Sequence, residues 1–172
     1  MDQSDYSLEG RVDGALPPTT VGLSMEVVRI TSTQNRHFVM LSEKPFGAWF
    51  HWFGRSVPCT NMDDCERCKS NQKKWRGYIH ALELLGPKSK EVIIELTHTA
   101  IVMIDVQLCT QPLRGSQIKF CKTKGGKHGR FVIEILPRRI GGTTLPDPKS
   151  PESYLRRLWK INEDRDVPDP LV

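Results

Sequence analysis

No apolar run in the chain is long enough to cross a bilayer. The longest, Ala100 to Ile104, spans five residues where a spanning helix needs about twenty. MDQSDYSLEGRVDG is acidic and polar, the opposite of a secretory or mitochondrial leader, so neither is expected. These absences set the expectation of a membrane-free, cytoplasmic protein of a bacterial or phage-infected cell. A complete disulfide framework is excluded by the odd count of five cysteines. In a reducing compartment, clustered thiols are more often metal ligands than disulfides. Catalytic patterns are missing as well. A zinc deaminase needs H-x-E together with P-C-x-x-C, and no H-x-E occurs here. The acidic residues are dispersed, where metal-dependent nuclease chemistry needs clustered carboxylates. The expectation is a protein that is not an enzyme.

What is present begins with charge asymmetry. The 172 residues carry a net charge of +5, but residues 1–20 and 162–172 each carry −3, which leaves +11 on residues 21–161. A basic body between acidic ends suits a polyanionic partner. Residues 1–20 read as a flexible acidic lead-in and residues 21–141 as one domain. Residues 142–161 read as a Pro/Gly-rich linker with a short helix, and NEDRDVPDPLV as an acidic tail. Residues 23–31 and 37–41 have strand character. Residues 75–85 fit either a strand that ends in a turn or a short helix. In 91–108, VIIEL looks like strand, whereas Thr99 to Leu108 fits strand or helix. Ile118–Lys122 and Arg130–Leu136 alternate around a glycine-rich turn and predict a hairpin. The fold class is therefore mostly β with minor α. The expected form is a closed or nearly closed OB-type barrel, with an inserted zinc-binding loop at about 51–78 and a short C-terminal helix.

The chemistry concentrates between residues 51 and 78. Cys65-x2-Cys68 lets a tight turn aim two thiolates at one point, and Cys59 lies six residues upstream. Tetrahedral Zn²⁺ takes four such donors. His51 ranks first as the fourth, ahead of His37 and His80. Three thiolates and one imidazole leave no open position, so the Zn²⁺ is expected to be structural. Cys109 and Cys121 lie in apolar sequence and read as ordinary core residues. Around the cysteines stand Trp49, Phe50, Trp52, Phe53 and Arg55 on one side, and Lys73, Lys74, Trp75, Arg76 and Tyr78 on the other. Single strands are held by aromatic platforms under bases and by cations along phosphates. The candidate nucleic-acid residues are thus Trp52, Arg55, Lys73, Lys74, Trp75, Arg76 and Tyr78. The hairpin adds Arg114, Lys119, Lys122, Lys124, Lys127 and Arg130. Trp75 and Tyr78 are the leading stacking candidates.

With His51…Cys59…Cys65-x2-Cys68, KKWRGY and LRGSQIKFCKTKGGKHGRFVIEIL in view, the chain resembles the phage or mobile-element single-stranded-DNA-binding proteins with an OB-fold. It is similar in plan to the T4-type family, in which a zinc subdomain with one histidine and three cysteines is set into that fold. The histidine-to-cysteine and first cysteine-to-cysteine spacings are shorter here. The resemblance implies largely sequence-independent binding of single-stranded DNA, with RNA not distinguished, in replication, recombination or a mobile-element system. It also implies an acidic C-terminal tail that recruits replication or mobile-element proteins. The competing expectation is a zinc-stabilised protein–protein adaptor in a larger nucleoprotein complex. Nothing in the sequence sets an oligomeric state.

Overall fold

The computed structural model describes residues 25–52, 56–59, 65–125, 129–137 and 145–158. The acidic segment 1–20, the tail 162–172, Arg55 and Lys127 lie outside these residues. Among the described residues eight strands and three helices follow one another: β1 (Glu26–Arg29), β2 (Arg36–Met40), β3 (Phe46–Trp52), β4 (Ser56–Pro58), α1 (Glu66–Ser70), β5 (Lys74–Leu85), β6 (Lys88–Thr97), α2 (His98–Leu108), β7 (Gln117–Lys122), β8 (Phe131–Leu136) and α3 (Pro151–Leu158). The fold is mostly β, as its β-branched and aromatic runs predict.

One sheet runs in the order β1-β6-β5-β2-β7-β8, and β3 also pairs with β5. β2 and β3 together act as one bent strand, joined to β5 along its length and to β7 at its first half. A β5–β6 hairpin, a helix and a β7–β8 hairpin follow, which is an OB-type path. The sheet is not closed, which leaves the more open of the two forms expected from the sequence. β1 pairs in parallel with β6 and so occupies the edge that a closing strand needs.

β6 is covered on both faces along Val92–Ile94, which explains the continuous apolar run at the start of VIIEL. Val92, Ile94 and Leu96 face an interior built with Phe38, Met40, Ile79 and Phe120, and α2 adds Ile101 and Ile104. Ile93 faces the other way, into a smaller cluster with Met25, Phe50 and Tyr78, covered by Tyr154 and Leu155 of α3. The ambiguous stretch after Leu96 is helical. Thr97 caps it by accepting a hydrogen bond from the Ala100 amide, which sets the start of α2. Residues 75–85 are strand throughout. No helix among the described residues is long and apolar enough to cross a membrane.

Candidate metal centre and an adjacent basic groove

β3, β4 and α1 bring four side chains to one point. His51 lies near the end of β3, opposite Val57 of β4. Cys59 follows β4 and continues its ladder by donating its amide to the Trp49 carbonyl at 2.8 Å. Cys65 is the N-cap residue of α1, and Cys68 donates its amide back to the Cys65 carbonyl at 2.8 Å. That single turn aims both thiols the same way. Arg67 ties α1 to β4 through the Pro58 carbonyl at 3.2 Å.

The donor atoms of His51, Cys59, Cys65 and Cys68 all lie within 4.8 Å of one another. Cys59 Sγ stands 3.7 Å from Cys65 Sγ and 3.6 Å from Cys68 Sγ. His51 Nε2 stands 3.7 Å from Cys65 Sγ and 3.6 Å from Cys68 Sγ. A disulfide needs an S–S distance near 2.05 Å, so these thiols are not bonded to one another. A tetrahedral ion with metal–sulfur bonds of about 2.3 Å and a metal–nitrogen bond of about 2.0 Å has edges of about 3.8 and 3.5 Å. The measured distances fall close to those edges, so the group could hold a metal ion. His51, Cys59 and Cys65 are buried, and Cys68 is exposed.

The imidazole is oriented for this. Its Nδ1 lies 2.8 Å from the Asn71 carbonyl, which can accept only, so Nδ1 carries the proton and Nε2 presents a lone pair to the thiols. The two alternative histidines stand elsewhere. His37 sits in the ladder opposite Leu84 and Lys119. His80 is buried, with Nε2 3.2 Å from Glu91 and Nδ1 accepting the Lys149 amide at 3.0 Å. Burial pushes the His80 pKa below 6.5, although Glu91 pulls the other way.

A cavity of about 450 Å³ lies next to the end of β3. Arg29, Trp52, Lys74, Arg76, Lys122 and Phe131 line it, and Glu95 lies among them. Four expected residues therefore meet in one groove. Trp52 is 48% exposed, with the Arg29 guanidinium 5.6 Å from its ring centre. The Lys122 ammonium lies 5.4 Å from the Phe131 ring. Glu95 pairs with Arg29 at 2.9 Å and with Arg76 at 3.4 Å.

Other expected residues are placed differently. Tyr78 is only 1% exposed, tilted against Phe50 under α3, so it cannot stack on a base. Its hydroxyl lies 3.4 Å from Glu95, and burial raises its pKa well above 10. Trp75 is half-buried, edge-on to His98 and packed on the interior cluster, so its ring is largely committed to the fold. Lys73 covers the Trp49 ring at 5.2 Å. Arg114 bonds the Leu41 and Pro146 carbonyls and pairs with Glu43, which makes it a clasp. Lys119 pairs with Glu134 across the hairpin at 2.6 Å. Lys124 and Arg130 are exposed on the hairpin turn.

Sequence reasoning missed Arg29, Glu95 and Phe131. The hairpin register offered a signal for Phe131, which lies opposite Lys122. Arg29 and Glu95 meet through the parallel β1–β6 pairing, which leaves no local mark. The chain matches no family model, no curated protein and no solved structure.

Proposed function

We propose that the protein binds single-stranded nucleic acid, DNA in the first instance, along this groove, and that Zn²⁺ at the His51–Cys59–Cys65–Cys68 group braces one wall of it. One observation carries the reading: the exposed Trp52 ring, with the half-buried Phe131 ring opposite Lys122 as a lesser platform, stands beside four cations in one open cavity. Aromatic faces take bases without regard to sequence, and the cations track the phosphates. Thiolate and imidazole donors in a tetrahedron favour Zn²⁺ over the hard cations. A closed set of four protein ligands suits a structural ion. The plan agrees with the resemblance to the T4-type family, a one-histidine, three-cysteine module set into an OB-type path.

The test is fluorescence titration with labelled single- and double-stranded oligonucleotides at two salt concentrations. Binding should favour the single strand and weaken steeply with salt. Trp52→Ala should cost about 1–3 kcal/mol on the single strand. Lys122→Ala should lower the salt slope by about one ion. Equal affinity for duplex and single strand, untouched by Trp52→Ala, refutes the reading.

One feature favours the adaptor as a second reading. α2 exposes Val102 at 44% and Val106 at 73%, an apolar stripe that a protein partner could cover. A complex with a protein partner that forms in high salt without nucleic acid would select it.

A further inference from the structure

We propose that Glu95 is a positioning residue that holds Arg29 and Arg76 as a preset fork for one phosphodiester of the bound strand. This rests on the strand-binding reading above. Three strands contribute one side chain each: Arg29 ends β1, Glu95 stands near the end of β6, and Arg76 near the start of β5. The β1–β6 register puts Arg29 directly beside Glu95. Glu95 Oε2 accepts from Arg29 Nη2 at 2.9 Å and from the Tyr78 hydroxyl at 3.4 Å. Its Oε1 faces Arg76 Nε at 3.4 Å.

The exposures grade outward. The Glu95 side chain is 7% exposed, that of Arg76 27% and that of Arg29 40%. The carboxylate is therefore a foundation, and the two guanidinium groups meet the groove. Each cation has a second fastening. Arg29 lies over the Trp52 ring, and Arg76 Nη1 donates to the Trp75 carbonyl at 3.2 Å. Their orientation is thus set before any ligand arrives, which lowers the ordering cost of binding. Planar guanidinium groups match phosphate oxygens in paired hydrogen bonds, which a mobile point charge does not.

A carboxylate in a groove for polyanions is otherwise a liability, since it removes one positive charge from the site. That conflict yields a discriminating experiment. Glu95→Gln adds one unit of positive charge locally, so bulk electrostatics predicts tighter binding. Positioning predicts the reverse: affinity for a labelled oligothymidylate about tenfold weaker, and a salt slope reduced by about one ion because the fork no longer engages its phosphate. Arg29→Lys keeps the charge but removes the fork, and it should lose affinity similarly. It also serves as the readout if Glu95→Gln fails to fold. Wild-type binding with Arg29→Lys unchanged, or with a folded Glu95→Gln that binds equally or more tightly, overturns the inference alone. A wild-type protein that binds no single strand overturns the strand-binding reading, and this inference with it.

Discussion

Replacing Cys65 with Ser should lower the melting temperature by roughly ten degrees, and the structure shows where that loss would fall. α1 is five residues long, far below the twelve to fifteen at which an isolated helix becomes even marginal. Its N-cap, Cys65, makes no side-chain capping bond. None of the four donor residues belongs to either apolar cluster. A metal bound at these donors would therefore order β4 and α1, whereas the apolar interior packs without one. At free metal a thousandfold above its dissociation constant, binding to the folded state alone contributes about 4 kcal/mol. In a chain of this size each kcal/mol moves the midpoint by about 2–4 °C. The expected fall is thus roughly 8–16 °C, with the cooperative transition of the barrel retained.

The assay pairs thermal melting with elemental analysis of the protein as purified. Co²⁺ substitution adds an independent reading of the ligands, because a tetrahedral site with thiolates gives intense visible bands that His51→Ala and Cys68→Ser should alter. Two results together would refute the reasoning: no bound metal in the wild type, and a Cys65→Ser midpoint within about 2 °C of it.

Gly47→Ala should destabilise the fold by about 1–3 kcal/mol through overpacking. The new Cβ would lie 2.4 Å from Cζ2 of Trp75, whose ring is braced by His98, and chemical denaturation with no change in midpoint would contradict it. Stability should also fall in acid. His80 has a lowered pKa in the fold, so its contribution is complete above the ordinary value of 6.5 and is lost as pH drops from there through the folded value. Glu91, held low chiefly by Lys149, adds a loss of the same sign below 4.5. Melts at pH 8, 6 and 5 should show a steeper decline for the wild type than for His80→Gln, and parallel curves would refute the role of His80.

The metal donors were legible because their signal is local. Cys59, Cys65 and Cys68 fall within ten residues, and His51 precedes them on a strand that leads straight into the loop. The face of Tyr78 was not legible. KKWRGY alternates, so Lys74, Arg76 and Tyr78 share one side of β5, yet only α3 decides which of them is covered. Tyr154 and Leu155 arrive more than seventy residues later in sequence. α2 was obscured by composition: Ile101, Val102, Ile104 and Val106 are β-branched and suit a strand equally well. The cap at Thr97 distinguishes the two, and a Thr three residues ahead of an amide it can accept from was present in the sequence as a helix-start signal.

The same alternation links the metal donors to the groove. His51 and Trp52 are adjacent on β3, so their side chains leave opposite faces of the strand, one toward the thiols and the other toward Arg29. Asn71, just beyond α1, holds both. Its carbonyl accepts from the His51 ring, and its side-chain amide donates to the Trp52 carbonyl. Three residues later the chain enters β5 with Lys74, which lines the groove. A metal that fixes Cys65 and Cys68 therefore fixes the helix that carries Asn71, and through Asn71 the backbone of Trp52. On this geometry a bound ion would act at a distance from a strand held in the groove as proposed. It would set where the Trp52 ring and the first cation of β5 stand relative to Arg29 and Arg76, which are anchored independently through Glu95.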